Sequence, residues 1–505
     1  MFILIIMKPH IQVKTTILPA LLLLAFLVGM GLIQFSTPDL PDNDGFYHIK
    51  FAQLMSSEGF LPEFRWLPLT ILNQDDFYNH HFLFHVALIP FTLGDLRLGA
   101  KLAAVVFSSM AFLAIWYLLQ RERVPLAWLW ALALLGISEA FLFRMSITRT
   151  QSLSLGILAL GMLVILQGNR WGISILSFLY VWTYNAFPLL PVMAFLYLMA
   201  GLIINKKGDW QLFALSCAGV VAGGIINPYF PENILFTLHH ILPKLAQSTV
   251  SGLGNEWSPY NTTQLLENSL PALIAFASGT IAIGLAGRKM HMRTLFAFFI
   301  ALLFALMFFR ARRFVEYFPP FALIFASFAW APLLEDYLSK MNPVGLAHNY
   351  RIRNLWPVTL AGLLVFSSIF VSIIGARRLI RNSKPHDLYQ AASAWLVQNT
   401  PAGSLIFQTD WDDFPRLFFY NTHNTYLAGL DPTYTQLYNP SLYTLWVDIT
   451  RGKLAEPSAR IINSFGAKYV HSDLYHDDFL AVAAQDPAMI EVYRDDQAVI
   501  WKIIP

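Results

Sequence analysis

Eleven apolar runs, each close to the length that crosses a bilayer core of about 30 Å, restrict what this chain can fold into. They lie near 16–35, 98–119, 125–142, 151–168, 171–186, 188–205, 210–228, 268–286, 294–309, 316–333 and 356–375. A backbone in lipid must satisfy its own hydrogen bonds, and a run of this length does so as a helix. The chain therefore reads as a polytopic α-helical membrane protein. Composition agrees: 13% of the 505 residues are charged and 56% are hydrophobic, against about a quarter charged in soluble domains. A further apolar segment, His80 to Leu93, is short for a span and reads as an interfacial or re-entrant helix.

Basic residues in short loops set the orientation. Arg121 and Arg123, Lys206 and Lys207, Arg288 to Arg293, and Arg351 and Arg353 fall on one side, the cytoplasm. Two clusters break this rule, Arg310 to Arg313 and Arg377 to Lys384. The first run, preceded by Lys8 and Lys14 and followed by Asp39 to Asp44, reads as a first span entering from the cytoplasm and not as a cleaved leader. The expected setting is the cytoplasmic (inner) membrane, with the polar pieces on the outer, periplasmic face. These are loop 36–97, loop 229–267 and the tail. The expected division is a transmembrane part over 1–384 and a small extracytoplasmic α/β domain over 385–505. In the tail, Leu388 to Gln398 is helical in pattern, and Leu405 to Gln408 and Lys468 to His471 read as buried strands. Ile490 to Tyr493 with Ala498 to Ile503 read as a closing hairpin. The single cysteine, Cys217, lies in an apolar run and reads as a small hydrophobe. The basic residues are scattered, with no stripe interleaved with aromatics, which excludes nucleic acid as a partner.

The chemistry-bearing residues crowd the outward pieces. The first loop opens Asp42-Asn43-Asp44-Gly45-Phe46-Tyr47-His48-Ile49-Lys50, where two carboxylates at i and i+2 are either a metal- or proton-handling pair or a solvated turn. Asp75, Asp76, His80, His81 and His85 follow. His81 and His85 have the i, i+4 spacing of a metal pair or are histidines that only hydrogen-bond. The second outward loop holds Asn255-Glu256-Trp257-Ser258-Pro259. The ninth run ends in Arg310-Ala311-Arg312-Arg313, guanidinium groups suited either to gripping a phosphate or to snorkelling. The tail carries Asp410-Trp411-Asp412-Asp413-Phe414-Pro415, acids around a stacking face such as sugars need, or a plain turn.

In order along the chain, these pieces resemble the catalytic subunit of oligosaccharyltransferase and, more broadly, the GT-C class of membrane glycosyltransferases. Asp42 to Lys50 is similar to that family's first-loop motif of an acidic pair and an aromatic run. The resemblance places its key acid at Asp44 and the partner acid at Asp42. Glu256 to Pro259 matches an acid followed by proline in the late outward loop. Arg313 and Pro320 match the family's phosphate-binding arginine and the proline after it. Asn399-Thr400-Pro401 followed by Asp410 to Phe414 looks like a divergent copy of the family's tail signature. Three features depart: the family's second acidic pair would fall within Phe143 to Leu153, which contains Arg144, Arg149 and Gln151 and no acid; Asp410, Asp413 and Phe414 stand where the family's tail signature has Trp, Tyr and Gly; and about eleven spans fall below the thirteen of the oligosaccharyltransferase subunit.

The resemblance implies an inverting glycosyltransferase that moves a sugar or oligosaccharide from a polyprenyl phosphate or diphosphate donor to an acceptor outside the membrane. It implies Asp44 and Glu256 as catalytic groups, with Asp42, Asp44 and Glu256 as ligands of a divalent cation (Mg or Mn). Arg313, Arg312 and Arg149 would bind the donor phosphate. Trp411, Asp412, Asp413, Trp257 and His48 would recognise sugar or acceptor. The expected partners are the polyprenyl-linked donor and membrane lipid, and the acceptor is a glycan, lipid or protein. The alternatives are a transporter or flippase of lipid-linked sugars, which would need charges or broken helices near mid-membrane, and a non-catalytic subunit of polysaccharide assembly.

Overall fold

A computed structural model describes residues 17–241, 255–287, 290–340 and 356–504. Every predicted run is helical in it. Among the described residues six helices are long and apolar enough to cross a membrane: Ile17–Gln34, Leu96–Arg121, Thr262–Ala286, Met292–Arg310, Phe318–Lys340 and Trp356–Arg381. The run predicted at 125–142 is broken, with Ala127–Gly136 and Glu139–Met145 meeting at 90°. The break falls at Ser138, whose hydroxyl leaves the helical ladder to cap the second piece, accepting from the Phe141 N–H at 3.1 Å. The other four predicted spans are shorter helices, Gln151–Leu166, Arg170–Val181, Leu189–Asn205 and Trp210–Ile225. Side-chain caps fix two of their starts, with Asn169 accepting from Gly172 N and Asp209 from Gln211 N and Leu212 N. Arg170–Val181 and Trp210–Ile225 pack closely because Gly219 lacks a side chain: a Cβ there would lie 2.1 Å from the Ser174 carbonyl oxygen. Close approach at small residues is how helices associate where lipid removes the hydrophobic drive. The segment from His80 forms only the short helix Phe82–Leu88 and a turn at Ile89–Thr92, where Pro90 stands near the start.

The tail folds as expected into a small α/β unit. After helix Gln390–Asn399 come five strands: β1 Leu405–Gln408, β2 Thr425–Tyr426, β3 Tyr469–Asp473, β4 Met489–Arg494 and β5 Ala498–Ile503. Their order is β2-β1-β3-β5-β4. The first three run parallel, and the predicted closing hairpin β4–β5 adds antiparallel against β3. The parallel strands are connected through helices, as parallel pairing requires.

The tail and the first loop share one core. Tyr47, Phe51, Phe64 and Trp66 from the loop bury with Phe414, Phe418 and Tyr426 from the tail. The Trp66 and Phe418 rings are 4.9 Å apart, and those of Phe46 and Phe419 are 5.2 Å apart. The Tyr426 N–H donates to the Trp66 carbonyl at 2.8 Å. At the centre is Arg416, 1% exposed. Its Nε donates to Asn43 Oδ1 at 2.7 Å and its Nη1 to the Pro385 carbonyl at 2.5 Å. Its guanidinium lies 4.4 Å from the centre of the Phe46 ring, a cation–π contact strengthened by desolvation.

This clamp makes a prediction. Arg416→Ala takes the donor from two partly buried acceptors and leaves a void beside Phe46, a loss on the order of 2 kcal/mol. The expected result is faster limited proteolysis of the tail in detergent, with the membrane part intact. A digestion pattern like that of the wild type would show that the arginine is not what holds the tail in place.

Candidate active site

The seam between first loop, bundle and tail encloses a cavity of about 1080 Å³. Its walls come from both long loops and the tail: Asp42, Asp44 and His48 from the first loop, Glu256 and Trp257 from the second, and Trp411 and Asp412 from the tail. Arg149 and Arg313 come from the ends of bundle helices. Two expected residues are not on the wall. Arg312 turns aside, its Nε donating to the Pro259 carbonyl at 3.2 Å and its guanidinium lying 5.3 Å from the Tyr260 ring. Asp413 is buried inside the tail, 1% exposed, where burial and then Asp410 and Asp473 push its carboxyl well above the usual range. The expectations for Arg312 as a phosphate ligand and Asp413 as a recognition residue are corrected by these positions.

Local structure explains the acids. Asp42 Oδ1 accepts the Asp44 N–H at 2.5 Å, so the first acid caps the turn that starts helix Asp44–Glu58. Asn43 is held by the tail, its Nδ2 donating to Asp412 Oδ2 at 2.6 Å. With its neighbour pinned, the pair Asp42 and Asp44 projects together. Arg149 Nη2 meets both, at 2.9 Å from Asp42 Oδ2 and 2.5 Å from Asp44 Oδ2. Its Nη1 lies 3.4 Å from Glu256 Oε1. Arg144 Nη1 reaches the same Glu256 oxygen at 2.5 Å, and its Nε and Nη2 donate to Glu316 Oε1, the former at 3.1 Å. The result is a ladder of alternating charge: Glu316, Arg144, Glu256, Arg149, then Asp42 and Asp44. The i, i+2 spacing in the first loop is thus an acidic pair on one cation and more than a solvated turn.

This arrangement bears on two roles expected of these residues. Arg149 is engaged by three carboxylates and has little left for a phosphate. The three carboxylates expected to hold a divalent ion do converge, but on a guanidinium. Nothing in residue spacing points to Arg144 and Glu316, which are 172 positions apart.

Arg313 is different. Its Nη2 donates to the Tyr184 hydroxyl at 3.2 Å, and its guanidinium stands 4.4 Å from the Trp257 ring. Among the described residues it makes no ion pair. Burial would raise the Glu256 carboxyl, but Arg144, Arg149 and Arg313 outweigh it and hold Glu256 well below the usual range. Burial pushes the Asp44 carboxyl up to about 8; Arg149 pulls against that rise, and Asp42, Asp412 and Glu256 add to it. Two acids a short distance apart are thereby separated in basicity, as a proton acceptor and a permanently charged neighbour need to be. Burial raises Asp412 to about 6, with Asp410 and Asp42 adding to the effect.

The histidines form a hydrogen-bonded set. His48 Nδ1 and His85 Nε2 are 2.8 Å apart, and His85 Nδ1 is 2.8 Å from Asn79 Oδ1. Since the amide oxygen only accepts, His85 carries its proton on Nδ1 and accepts from His48. His81 Nδ1 pairs with Thr150 Oγ1 at 2.7 Å. Burial holds His48 and His81 neutral, well below the usual imidazole range. His81 and His85 therefore point to separate partners and do not share a metal, and Asp75 and Asp76 lie exposed in a turn around Asn73. A group able to hold a metal ion does occur in the tail: Asp410, Asp473 and His476 present ligand atoms within 4.8 Å of one another. Asp410 borders the cavity.

No family model matches this chain, and no curated protein matches it in sequence. Solved structures share its fold. The apo oligosaccharyltransferase of Archaeoglobus fulgidus superposes with a TM-score of 0.66 at 15% identity, over 93% of this chain and 71% of that one. ArnT from Cupriavidus metallidurans, bound to undecaprenyl phosphate, gives 0.56 at 18% identity over 96% and 97%. The mycobacterial arabinofuranosyltransferase AftD gives 0.54 at 13% identity over 96% of this chain and 41% of that one. The fold is that of the GT-C membrane glycosyltransferases, as the ordered motifs led us to expect.

The buried ladder predicts its own fragility. Glu316→Leu leaves the Arg144 guanidinium with one acid where it had two, at a cost of roughly 3 kcal/mol. The variant should unfold at a clearly lower temperature in detergent, and Arg144→Met/Glu316→Leu should recover part of the loss. An unchanged melting temperature in the single variant would mean that the ladder does not stabilise the fold.

Proposed function

We propose that this chain is an inverting glycosyltransferase. It takes a sugar or oligosaccharide from a polyprenyl phosphate or diphosphate carrier and transfers it to an acceptor at the outer face of the cytoplasmic membrane. The observation that carries this reading is a division of labour among the charges of one cavity. Asp44 is a carboxyl of raised basicity, and Arg313 is a cation whose contact partners are a phenol and an indole face, with no acid in direct contact with it among the described residues. A nucleophile's proton and a departing phosphate need these two groups. Asp44 accepts the acceptor's proton as its oxygen or nitrogen attacks the anomeric carbon. The bond to the phosphate oxygen breaks on the opposite side, and Arg313 stabilises the leaving phosphate. Asp42 and Glu256 keep Asp44 in position through Arg149. Trp257, Trp411, Asp412 and His48 line the space where sugar and acceptor meet.

The carrier's tail has an apolar path. Pro188, Leu189, Met307 and Phe314 line the bundle side of the same cavity, so the headgroup rests among charges while the prenyl chain runs down into the helices. Two proteins of the same fold support the choice of lipid. ArnT is seen with undecaprenyl phosphate and an A. fulgidus oligosaccharyltransferase with dolichol-phosphate. In this reading residues 1–384 bind the donor and residues 385–505 close the acceptor side. The outward placement rests on the basic cytoplasmic loops.

Comparison of lipid-linked glycans by mass spectrometry in cells with and without the gene tests the reading directly. Accumulation of an unused polyprenyl-linked sugar is expected, and an unchanged profile would oppose it. Asp44→Asn should lower transfer by on the order of 10² to 10⁴ while the protein stays folded in the membrane. Full activity in that variant would remove Asp44 from the chemistry. For the donor site, Arg313→Ala should impair use of the lipid donor more than Arg313→Lys, since lysine keeps a charge near the phosphate. If both kept wild-type KM and kcat for the donor, Arg313 would be an anchor at the membrane surface.

A further inference from the structure

Three of the acids that line the cavity already share a cation that the chain itself supplies. Asp42 Oδ2, Asp44 Oδ2 and Glu256 Oε1 lie 2.9, 2.5 and 3.4 Å from the Nη atoms of Arg149. A divalent ion bound by these oxygens would need them at about 2.0–2.6 Å, in the space the guanidinium fills. Glu256 Oε1 is moreover shared with Arg144 at 2.5 Å. For an ion to enter, Arg149 would have to abandon all three acids and stay a few Å from a doubly charged metal.

The backbone opposes such a swing. Arg149 stands in the turn between helices Glu139–Met145 and Gln151–Leu166, and both neighbours are tied down. Thr148 Oγ1 donates to the Ala100 carbonyl at 2.9 Å, and Thr150 Oγ1 is 2.7 Å from His81 Nδ1. The Arg149 N–H itself donates to the Ile147 carbonyl at 2.8 Å. The arginine is held in place on both sides.

We propose that Arg149 is a built-in cation that takes the place of a divalent metal among Asp42, Asp44 and Glu256, holding three like charges in one constellation. It acts as a positioning residue: it sets the acids and does not itself take up the proton. Its importance for transfer rests on the glycosyltransferase reading, whereas the exclusion of metal from this cluster does not.

The test is therefore a binding measurement on the purified full chain, with Mn²⁺ as probe and electron paramagnetic resonance as readout. Every protein carries Asp473→Asn, so that the Asp410, Asp473 and His476 group does not contribute. The chain with Arg149 present should bind no Mn²⁺ that depends on Asp44 or Glu256. Arg149→Ala vacates the cluster and should gain a Mn²⁺ site, lost again in Arg149→Ala/Asp44→Asn. Mn²⁺ bound with Arg149 in place and released by Asp44→Asn or Glu256→Gln would overturn the proposal. So would a folded Arg149→Ala protein that gains no site. The measurement with Arg149 present decides the matter even if the variant is unstable. Where transfer is measurable, EDTA should leave its rate unchanged, and loss with EDTA restored by Mn²⁺ would count against the proposal. A protein that transfers nothing would sink the functional reading and leave the Mn²⁺ result standing.

Discussion

Charges can be withdrawn from water only in company. Moving a carboxylate or a guanidinium into a low-dielectric setting costs several kcal/mol per ion unless neighbours of opposite sign repay it. At the mouth of this bundle Glu316, Arg144, Glu256, Arg149, Asp42 and Asp44 meet that condition as one connected set. The rest of the architecture follows from it. The broken helix at Ser138 places Arg144 in this buried polar layer, the turn after it presents Arg149, and the second loop supplies Glu256.

The second dependency is the seam. Aromatic rings from the first loop and the tail pack as a single core, so the two polar pieces are parts of one outer body. Arg416 and Asn43 show how closely the seam and the chemistry are joined. Arg416 grips Asn43, and Asn43 lies between Asp42 and Asp44. A disturbance in the tail is thus felt at the acid pair without touching it.

Much of this was readable in the residues. The apolar runs marked the helices of the bundle, since a span announces itself by length and lack of charge. The tail's strands at Leu405–Gln408 and Tyr469–Asp473 and its closing hairpin followed from short β-rich runs, while β2, only two residues long, falls below any pattern. Asp42, Asp44, Glu256 and Arg313 were legible as motifs in order. The break at Ser138 was not, because a bent helix has the same composition as a straight one. Arg144, Glu316, Arg416 and the true partner set of Arg149 were illegible for a different reason. Their meaning lies in pairings across more than a hundred residues, and a single chain carries no mark of which distant charges will meet. Arg312 and Asp413 misled because adjacent residues in a turn point in different directions.

One wall of the cavity is made early and the other last. Asn43 and its partner Asp412 are separated by 369 positions, so at 5–20 residues per second synthesis leaves roughly 20–70 s between them. During that interval Tyr47, Phe64 and Trp66 of the first loop lack the Phe418 ring that packs against them. Nothing made by the ribosome before the tail emerges can hold the finished cavity. Until the tail is made, that aromatic face of the first loop is without its partner.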